Sequence, residues 1–478
     1  MKVLILLFIL NGWNKNCTRI CGKGFLSIFL ILTLIYQVKQ FIAFLASLDT
    51  NKEVIVRQLK YIILSFFLSC SSLVFAQTYQ GELEVLIFDY FDNNKAKTIY
   101  QLHEAGEVYK LELPDSIDKS ELLSGNKVIV EGEEVKGLKE KVIKVDSLTV
   151  QKNLTLENSP KVLSVPDIRR LLTLIVNFKN MQATSTVSIS DVDSILFTSL
   201  QSTRRNLLRS SFNQVNLLTD PNGDGHSDIY VINLDYDATD CNYNKWATDA
   251  KNAAMQSGLN LALYRHFMFI LPQAVNCGWG GLGQLGCGTA CNTWVKAYDP
   301  RRVYSKLIYT HELGHNLGMH HAATDTNNDG INDSEYGDAA CIMGTGDSRY
   351  YKEVNAPHRD QMRWFDSYPE RIATVTSGSY VLNPLEVGLH STGLLALKVK
   401  KNATDTYYIS YRRNRGLFGS GAPSYIDRIS IHWTRAGDNH TYFIRTLNAG
   451  ETFVDAANNV NITAVMTGGA TAMVSVNQ

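Results

Sequence analysis

The residues of this chain that could do chemistry together are concentrated between Thr310 and His321, which read THELGHNLGMHH. On a helix, His311 and His315 lie one turn apart on the same face, so their imidazoles can grip a single ion. Glu312 then stands beside that ion without binding it. Gly318 falls where the helix must stop, because a residue without a side chain can adopt the left-handed conformation that turns the backbone and returns His321 to the same point. Three neutral imidazoles leave the fourth tetrahedral position of a zinc ion open to water. That openness marks a catalytic zinc, since structural sites are usually closed by four protein ligands and rich in cysteine. The chemistry on offer is hydrolysis: zinc activates the water and polarises a carbonyl, while Glu312 takes the water's proton and passes it to the leaving amine. The spacing from Gly318 selects His321 as third ligand and leaves His320 to the surroundings. At the residue frequencies of this chain, H-E-x-x-H-x-x-G-x-x-H arises by chance on the order of 10⁻⁵ times. The plainer reading, an amphipathic helix with solvated or core histidines, is therefore not preferred.

Such a helix must be held by a scaffold, and the preceding sequence supplies one. Arg170 to Phe178 reads as a buried strand, Asp191 to Arg209 as a helix and Ile229 to Leu234 as a second strand. A helix around Trp246 to Ser257 and the strand His266 to Leu271 lead to the zinc helix, Arg302 to Leu317. This alternation implies a mainly parallel twisted sheet with helices packed on it. The glycine-rich Cys277 to Gly283 lacks the strand-to-helix setting of a phosphate loop and reads as a flexible wall of the cleft. Cys291 to Ala297 reads as the exposed edge strand against which an extended peptide would pair.

Two regions of β character flank this block. Runs at Glu82 to Phe88, Glu107 to Leu113, Lys127 to Val130 and Lys141 to Val150 fit a small barrel of the OB type. It lacks the basic and aromatic stripe of a nucleic-acid binder, which leaves a structural or prodomain role. After about Ser377, short turn-separated strands suggest a β-sandwich. The fold class is thus multidomain α+β: an N-terminal β domain over 77–152, a linker over 153–166, a zinc domain over 167–370 and a sandwich over 371–478. Two loops share the order D-x-N-x-D-G-x-x-D, with Asp220, Asn222, Asp224 and Asp228 in the first and Asp325, Asn327, Asp329 and Asp333 in the second. Oxygen ligands at alternate positions around a glycine turn suit calcium, although neither loop has the closing glutamate of an EF-hand; the alternative is a polar turn rich in Asx residues.

The whole chain has 478 residues, 45% of them apolar, with 46 basic and 46 acidic side chains. Zero formal charge argues against nucleic acid and anionic membrane surfaces as partners. Near the start, Arg57 and Lys60 precede the apolar run Tyr61 to Phe75, and Val74-Phe75-Ala76 offers a signal-peptidase site. The expectation is a signal peptide over 56–76, cleaved after Ala76, with 1–55 an upstream extension or an anchor. Beyond it lie Cys241, Cys277, Cys287, Cys291 and Cys341, which in an exported protein suggest two disulfides and one thiol left over.

The long zinc motif, followed by Tyr336-Gly337-Asp338 and Cys341-Ile342-Met343-Gly344, resembles the metzincin clan and, within it, the gametolysin-like metallopeptidases. Asn355-Ala356-Pro357-His358 and Asn383-Pro384-Leu385-Glu386 extend the likeness, which spans residues 165–478. The resemblance implies that His311, His315 and His321 bind zinc, that Glu312 is the catalytic base and that Met343 underlies the site. It also implies a protein or glycoprotein substrate in matrix or cell wall. Two departures stand out: residues 77–165 contain no cysteine to hold a zinc enzyme latent, and no tyrosine directly follows Met343, so an oxyanion donor is sought at Tyr350 or Tyr351. The reading is a secreted, monomeric zinc endopeptidase, with calcium at the two loops. The alternative is an exported binding or adhesion protein whose β modules do the work and whose zinc fold is a scaffold.

Overall fold

The computed structural model describes residues 77–135, 140–151, 167–344, 349–414 and 423–478, so the expected signal peptide, the chain before it and the linker lie outside the described residues. These residues belong to one compact unit, Ala76–Gln478.

Five strands open it: β1 (Gln77–Tyr90), β2 (Lys95–Glu104), β3 (Glu107–Glu112), β4 (Lys127–Glu134) and β5 (Val142–Val150). They pair in the order β1-β2-β3-β5-β4 and back to β1, closing a five-stranded barrel. Alternate side chains point inward, so Leu83, Val85, Ile87, Leu102, Val128 and Ile143 fill it. Sequence reading passes over β2 because only Leu102 on that strand is fully buried and its apolar alternation is weak.

The next block contains β6 (Asp167–Asn177), α1 (Ile189–Asp193), α2 (Thr203–Ser210), β7 (Val215–Leu218), β8 (Ile229–Asn233), α3 (Tyr243–Gln256), β9 (His266–Leu271), β10 (Gly281–Gln284), β11 (Cys291–Lys296) and α4 (Val303–Leu317). β6 pairs in parallel with β7, β8 and β9, and β9 in parallel with β11, which is the mainly parallel sheet expected. Both faces of β6 are covered. Leu171 and Ile175 enter the core shared with α4, while Leu172, Leu174 and Val176 face the core shared with α3.

Two expectations need correction. Asp191 to Arg209 is not one helix: α1 runs into a π turn, Ser194–Thr198, and α2 starts afresh at Ser202, whose side chain accepts from the Arg205 N–H. The first run ends at Ser199, whose backbone is extended, and Ser202 then caps the N-terminus of a separate helix. Nor is Cys291 to Ala297 the edge. β11 lies between β9 and β10, and β10, inside the glycine-rich stretch read as a flexible wall, borders the block. Glycine is needed there for close approach: a Cβ on Gly281 would stand 1.8 Å from Glu312 Oε1, and one on Gly283 would stand 2.9 Å from His315 Cβ. β1 of the barrel pairs antiparallel with β10, from Leu86 opposite Gln284 to Asp89 opposite Gly281, so barrel and block form one sheet.

The remainder comprises β12 (Ala322–Thr324), α5 (Ala356–Gln361), β13 (Ile372–Val375), β14 (Gly378–Leu382), β15 (Ala396–Lys400), β16 (Thr406–Arg412), β17 (Arg428–Thr434), β18 (Thr441–Leu447), β19 (Thr452–Asp455), β20 (Val460–Met466) and β21 (Ala472–Asn477). One sheet has the order β12-β18-β17-β16-β15-β13 and the other β14-β21-β20-β19. Ile409, Ile431 and Trp433 from the first share a core with Ile462, Val474 and Phe453 from the second. Strand β12 joins this sheet immediately after His321, earlier in the chain than the expected module begins.

The two expected disulfides are present, Cys241–Cys277 and Cys287–Cys291, and Cys341 is a free, buried thiol. Burial pushes the Cys341 thiol up to about 12, so it has almost no thiolate at neutral pH. In the native protein, iodoacetamide should leave Cys341 unlabelled, with full labelling after denaturation; peptide mapping that finds rapid native labelling at Cys341 would contradict this packing.

Candidate metal centre

Helix α4 is buried along most of its length, from Ser305 to Asn316 apart from Lys306. It stops at Gly318, whose φ of 104° is the left-handed conformation expected, and the Gly318 N–H caps the carbonyls of Gly314 and His315. The reversal brings Met319 back to the helix end, where its N–H donates to the Gly314 carbonyl at 3.1 Å. His321 follows, and its ring centroid lies 5.3 Å from that of His311 and 4.9 Å from that of His315.

Each imidazole is oriented by a partner on its Nδ1. His311 Nδ1 is 3.1 Å from the Ile342 carbonyl, His315 Nδ1 is 2.8 Å from the Met319 carbonyl, and His321 Nδ1 is 2.5 Å from Glu335 Oε1. These acceptors require the proton on Nδ1, which leaves Nε2 of a neutral ring as a lone pair. The three Nε2 atoms converge with a fourth group, the carboxylate of Asp89 at the end of β1. Asp89 Oδ1 lies 2.9 Å from His321 Nε2, and Oδ2 lies 3.2 Å from His315 Nε2 and 3.4 Å from His311 Nε2. Lone pairs facing a carboxylate repel unless a cation sits between them. The separations suit one, because donors bonded at about 2.0–2.1 Å around a tetrahedral zinc stand about 3.3 Å apart. All four side chains are fully buried, and Nε2 of His311 and of His321 has no hydrogen-bond partner. The donor set fits a metal ion.

Glu312 is also fully buried, with neither carboxylate oxygen hydrogen-bonded. Burial, and then the charge of Asp89, push its carboxyl well above the usual range. Met343 lies beneath the helix, where its Sδ would be 2.5 Å from a Cβ on Gly314. The neighbouring Ile342 supplies the carbonyl that orients His311. His320 is directed elsewhere, its ring 3.7 Å from that of His440.

Sequence reasoning gives four residues no role at this site. Asp89 is one, and its only signal is an acid ending the apolar run Leu86-Ile87-Phe88. Tyr336 is another: its hydroxyl donates to Asp89 Oδ1 at 2.9 Å and its ring stands 4.6 Å from His321. Of the two tyrosines expected as oxyanion donors, Tyr351 is buried in the core, its hydroxyl 2.6 Å from Thr310 Oγ1. Glu335 is the third, accepting from His440 Nε2 at 3.1 Å as well as from His321. Burial opposes charge on Glu335, but the hydrogen bonds from His321 and His440 hold its carboxyl well below the usual range. His440 is the fourth; burial opposes its charge too, yet Asp438 and Glu335 lift its pKa to about 10.

With this geometry established, comparison with known proteins is informative. The sequence pattern of the gametolysin peptidase M11 family matches residues 170–463, which include the three histidines, Glu312 and Met343. The chain belongs to the gametolysin peptidase M11 family. That family is one of metal-dependent peptidases, with zinc the typical ion. Autolysin of Chlamydomonas reinhardtii is 35% identical over 81 residues, which is 17% of this chain and 11% of autolysin. The chain thus covers about a tenth of that relative. The crystal structure of metalloproteinase-II from Bacteroides fragilis matches 55% of this chain and 75% of its own at 10% identity, and its TM-score of 0.23 is too low to inform the fold.

The two acidic loops differ. Asp220, Asp224 and Asp228 come within ligand reach of one another, but Asp325, Asp329 and Asp333 form no such cluster among the described residues. Both loops satisfy their leading aspartate internally: Asp220 accepts from the N–H groups of Gly223, Asp224 and Gly225, and Asp325 from those of Asp329 and Gly330. The second is also fastened to the C-terminal sheet, where Lys401 Nζ donates to Asn328 Oδ1 at 2.7 Å. Calcium therefore rests on the loop pattern alone.

Because Glu335 fixes the tautomer of His321, Glu335→Ala should weaken metal binding about 10–100-fold, read by competition with a chelator. Unchanged affinity in the folded variant would show that His321 is oriented by something else.

Proposed function

We propose that this chain is a zinc-dependent endopeptidase of metzincin type that hydrolyses extracellular proteins or glycoproteins. The observation that carries the proposal is the convergence of three Nε2 lone pairs, enforced by Nδ1 partners, next to a buried and unpartnered Glu312. Met343 beneath the helix supports the metzincin assignment. Export is supported by the signal-like segment and by two disulfides, which persist in oxidising compartments. Among the described residues, no helix is long and apolar enough to cross a membrane.

His311, His315 and His321 would hold zinc, which when bound supplies Lewis acidity towards a water and the scissile carbonyl. Glu312 accepts the proton of the attacking water on a carboxylate oxygen and delivers it to the departing amine. Tyr336, with its hydroxyl directed at the site, is placed to donate to the oxyanion as charge develops. β10 carries the backbone row an extended peptide would pair with once β1 has left it, and the glycines at 281 and 283 let that strand approach the helix.

Glu312→Gln removes the base and keeps the volume. In protein recovered from culture medium, this variant should bind zinc at the wild-type stoichiometry while kcat on a casein-like substrate falls about 10²–10⁴-fold. Equal cleavage by wild type and variant would remove the peptidase reading and favour the adhesion alternative.

A further inference from the structure

Asp89 has no counterpart in the three-histidine chemistry. A catalytic zinc needs its fourth position free for water, yet in this structure a carboxylate from the N-terminal barrel stands there, within 2.9–3.4 Å of all three Nε2 atoms. We infer that the N-terminal barrel is a tethered inhibitor: β1 fills the strand slot of the substrate groove and Asp89 closes the metal site as a fourth ligand. The inference rests on the peptidase reading above.

Two independent features of the fold support it. The first is electrostatic. Asp89 is fully buried, and the groups that face it are the Nε2 atoms of His311, His315 and His321, the Tyr336 hydroxyl and the Glu312 carboxyl, all from outside the barrel, so its charge is compensated only when a cation lies among those nitrogens. A buried carboxylate without compensation is strongly unfavourable. The position of Asp89 therefore makes sense only with the cation-binding side chains it faces. A surface-exposed aspartate would have served the barrel alone.

The second feature is backbone pairing. β10 is the border strand of the catalytic sheet; one side pairs with β11 and the other with β1. Both rows of its hydrogen-bonding groups are consequently used, and no slot remains for a peptide. The chain beyond Asp89 occupies the groove further. The Phe91 ring lies 5.3 Å from His311 and 5.1 Å from Tyr336, while Asn94 Oδ1 accepts from Ser334 Oγ at 3.1 Å and from the Tyr336 N–H at 3.3 Å. A strand in this slot would invite cleavage. Here the side-chain carboxylate, not a peptide carbonyl, faces the histidines, and the Asp89 carbonyl instead accepts from the Gly280 N–H at 2.7 Å. This arrangement also answers the missing cysteine in 77–165: an oxygen ligand takes the place that a thiolate would fill.

The test uses the full chain loaded with cobalt in place of zinc, as wild type, Asp89→Asn, Asp89→Ala and Asp89→Ala with Glu312→Gln. Asp89→Asn keeps the shape and the acceptor for Tyr336, so it guards against a folding defect in the alanine variant. Intact mass confirms that the barrel is still attached. The expected result is a shifted visible cobalt absorption in both single variants, as water replaces the carboxylate, together with an initial rate of casein hydrolysis raised about tenfold or more, since an internal ligand competes at millimolar effective concentration. An unchanged cobalt band with an unchanged rate in both folded variants would overturn the inference and leave the peptidase reading standing. Hydrolysis by the double variant as fast as by Asp89→Ala would instead overturn the peptidase reading, because the cobalt band reports Asp89 ligation independently of turnover.

Discussion

An imidazole can bind a metal only through the nitrogen that carries no proton, so three histidines form a site only if three other groups hold protons on the opposite nitrogens. In this protein those groups come from three places: the Ile342 carbonyl beside Met343, the Met319 carbonyl just past Gly318, and Glu335 in the segment after the second acidic loop. The rest of the architecture can be read as what keeps these three acceptors in place. Gly318 matters twice, because its left-handed turn returns His321 to the site and also presents the Met319 carbonyl to His315. A side chain at this φ would disturb one ligand and the orientation of another.

The C-terminal sheet takes part in the same task. His321 leads directly into β12, which pairs with β18, and the Thr441 N–H donates to the His321 carbonyl at 3.1 Å. On the far side, Asp338 accepts from His432 Nε2 at 2.9 Å and from Asn355 Nδ2 at 3.0 Å, and Asn355 also donates to Thr441 Oγ1 at 2.8 Å. Burial disfavours charge on Asp338, but His432 and these donors hold its carboxyl well below the usual range. The segment carrying Glu335, Tyr336 and Met343 is thus clamped between helix α4 and the C-terminal sheet. A buried polar cluster of this kind adds little net stability; its contribution here is to fix where that segment lies.

What could be read from the sequence follows the range of each signal. Helix α4 was legible to within a residue, Arg302 to Leu317 against Val303–Leu317, because its ligand spacing and terminating glycine are local. β9 was legible outright, its apolar run being bounded by turns. The parallel sheet followed from the alternation of elements. The break between α1 and α2 was hidden because leucines on either side keep helical spacing, while the decision lies in which donor Ser202 caps. The edge strand was misread for a related reason: Gly281 and Gly283 look like flexibility in one dimension, but they are close approach to Glu312 and His315 in three. Asp89, Glu335, Tyr336 and His440 reach the site from strands and loops remote in sequence, and no spacing rule connects them to His311.

The edge itself explains why the barrel belongs where it is. An uncovered β10 would present unpaired N–H and C=O groups, an invitation to pair with any extended chain. A peptidase that binds extended peptides needs those same groups, so whatever covers them must be removable without unfolding the protein. The barrel meets that requirement. Its interior is built from its own strands and from Leu122 on the loop between β3 and β4, with Leu285 just past β10 the one buried contribution from outside the barrel among the described residues. The 14-residue β1 divides its pairing, with Gln77 to Glu82 against β4 and Glu82 to Tyr90 against β2, while only Leu86 to Asp89 lies against β10. Withdrawal from the groove therefore breaks a short ladder and uncovers Leu86 and Phe88, which pack in the core shared with α3, while the barrel's own ladders stay intact.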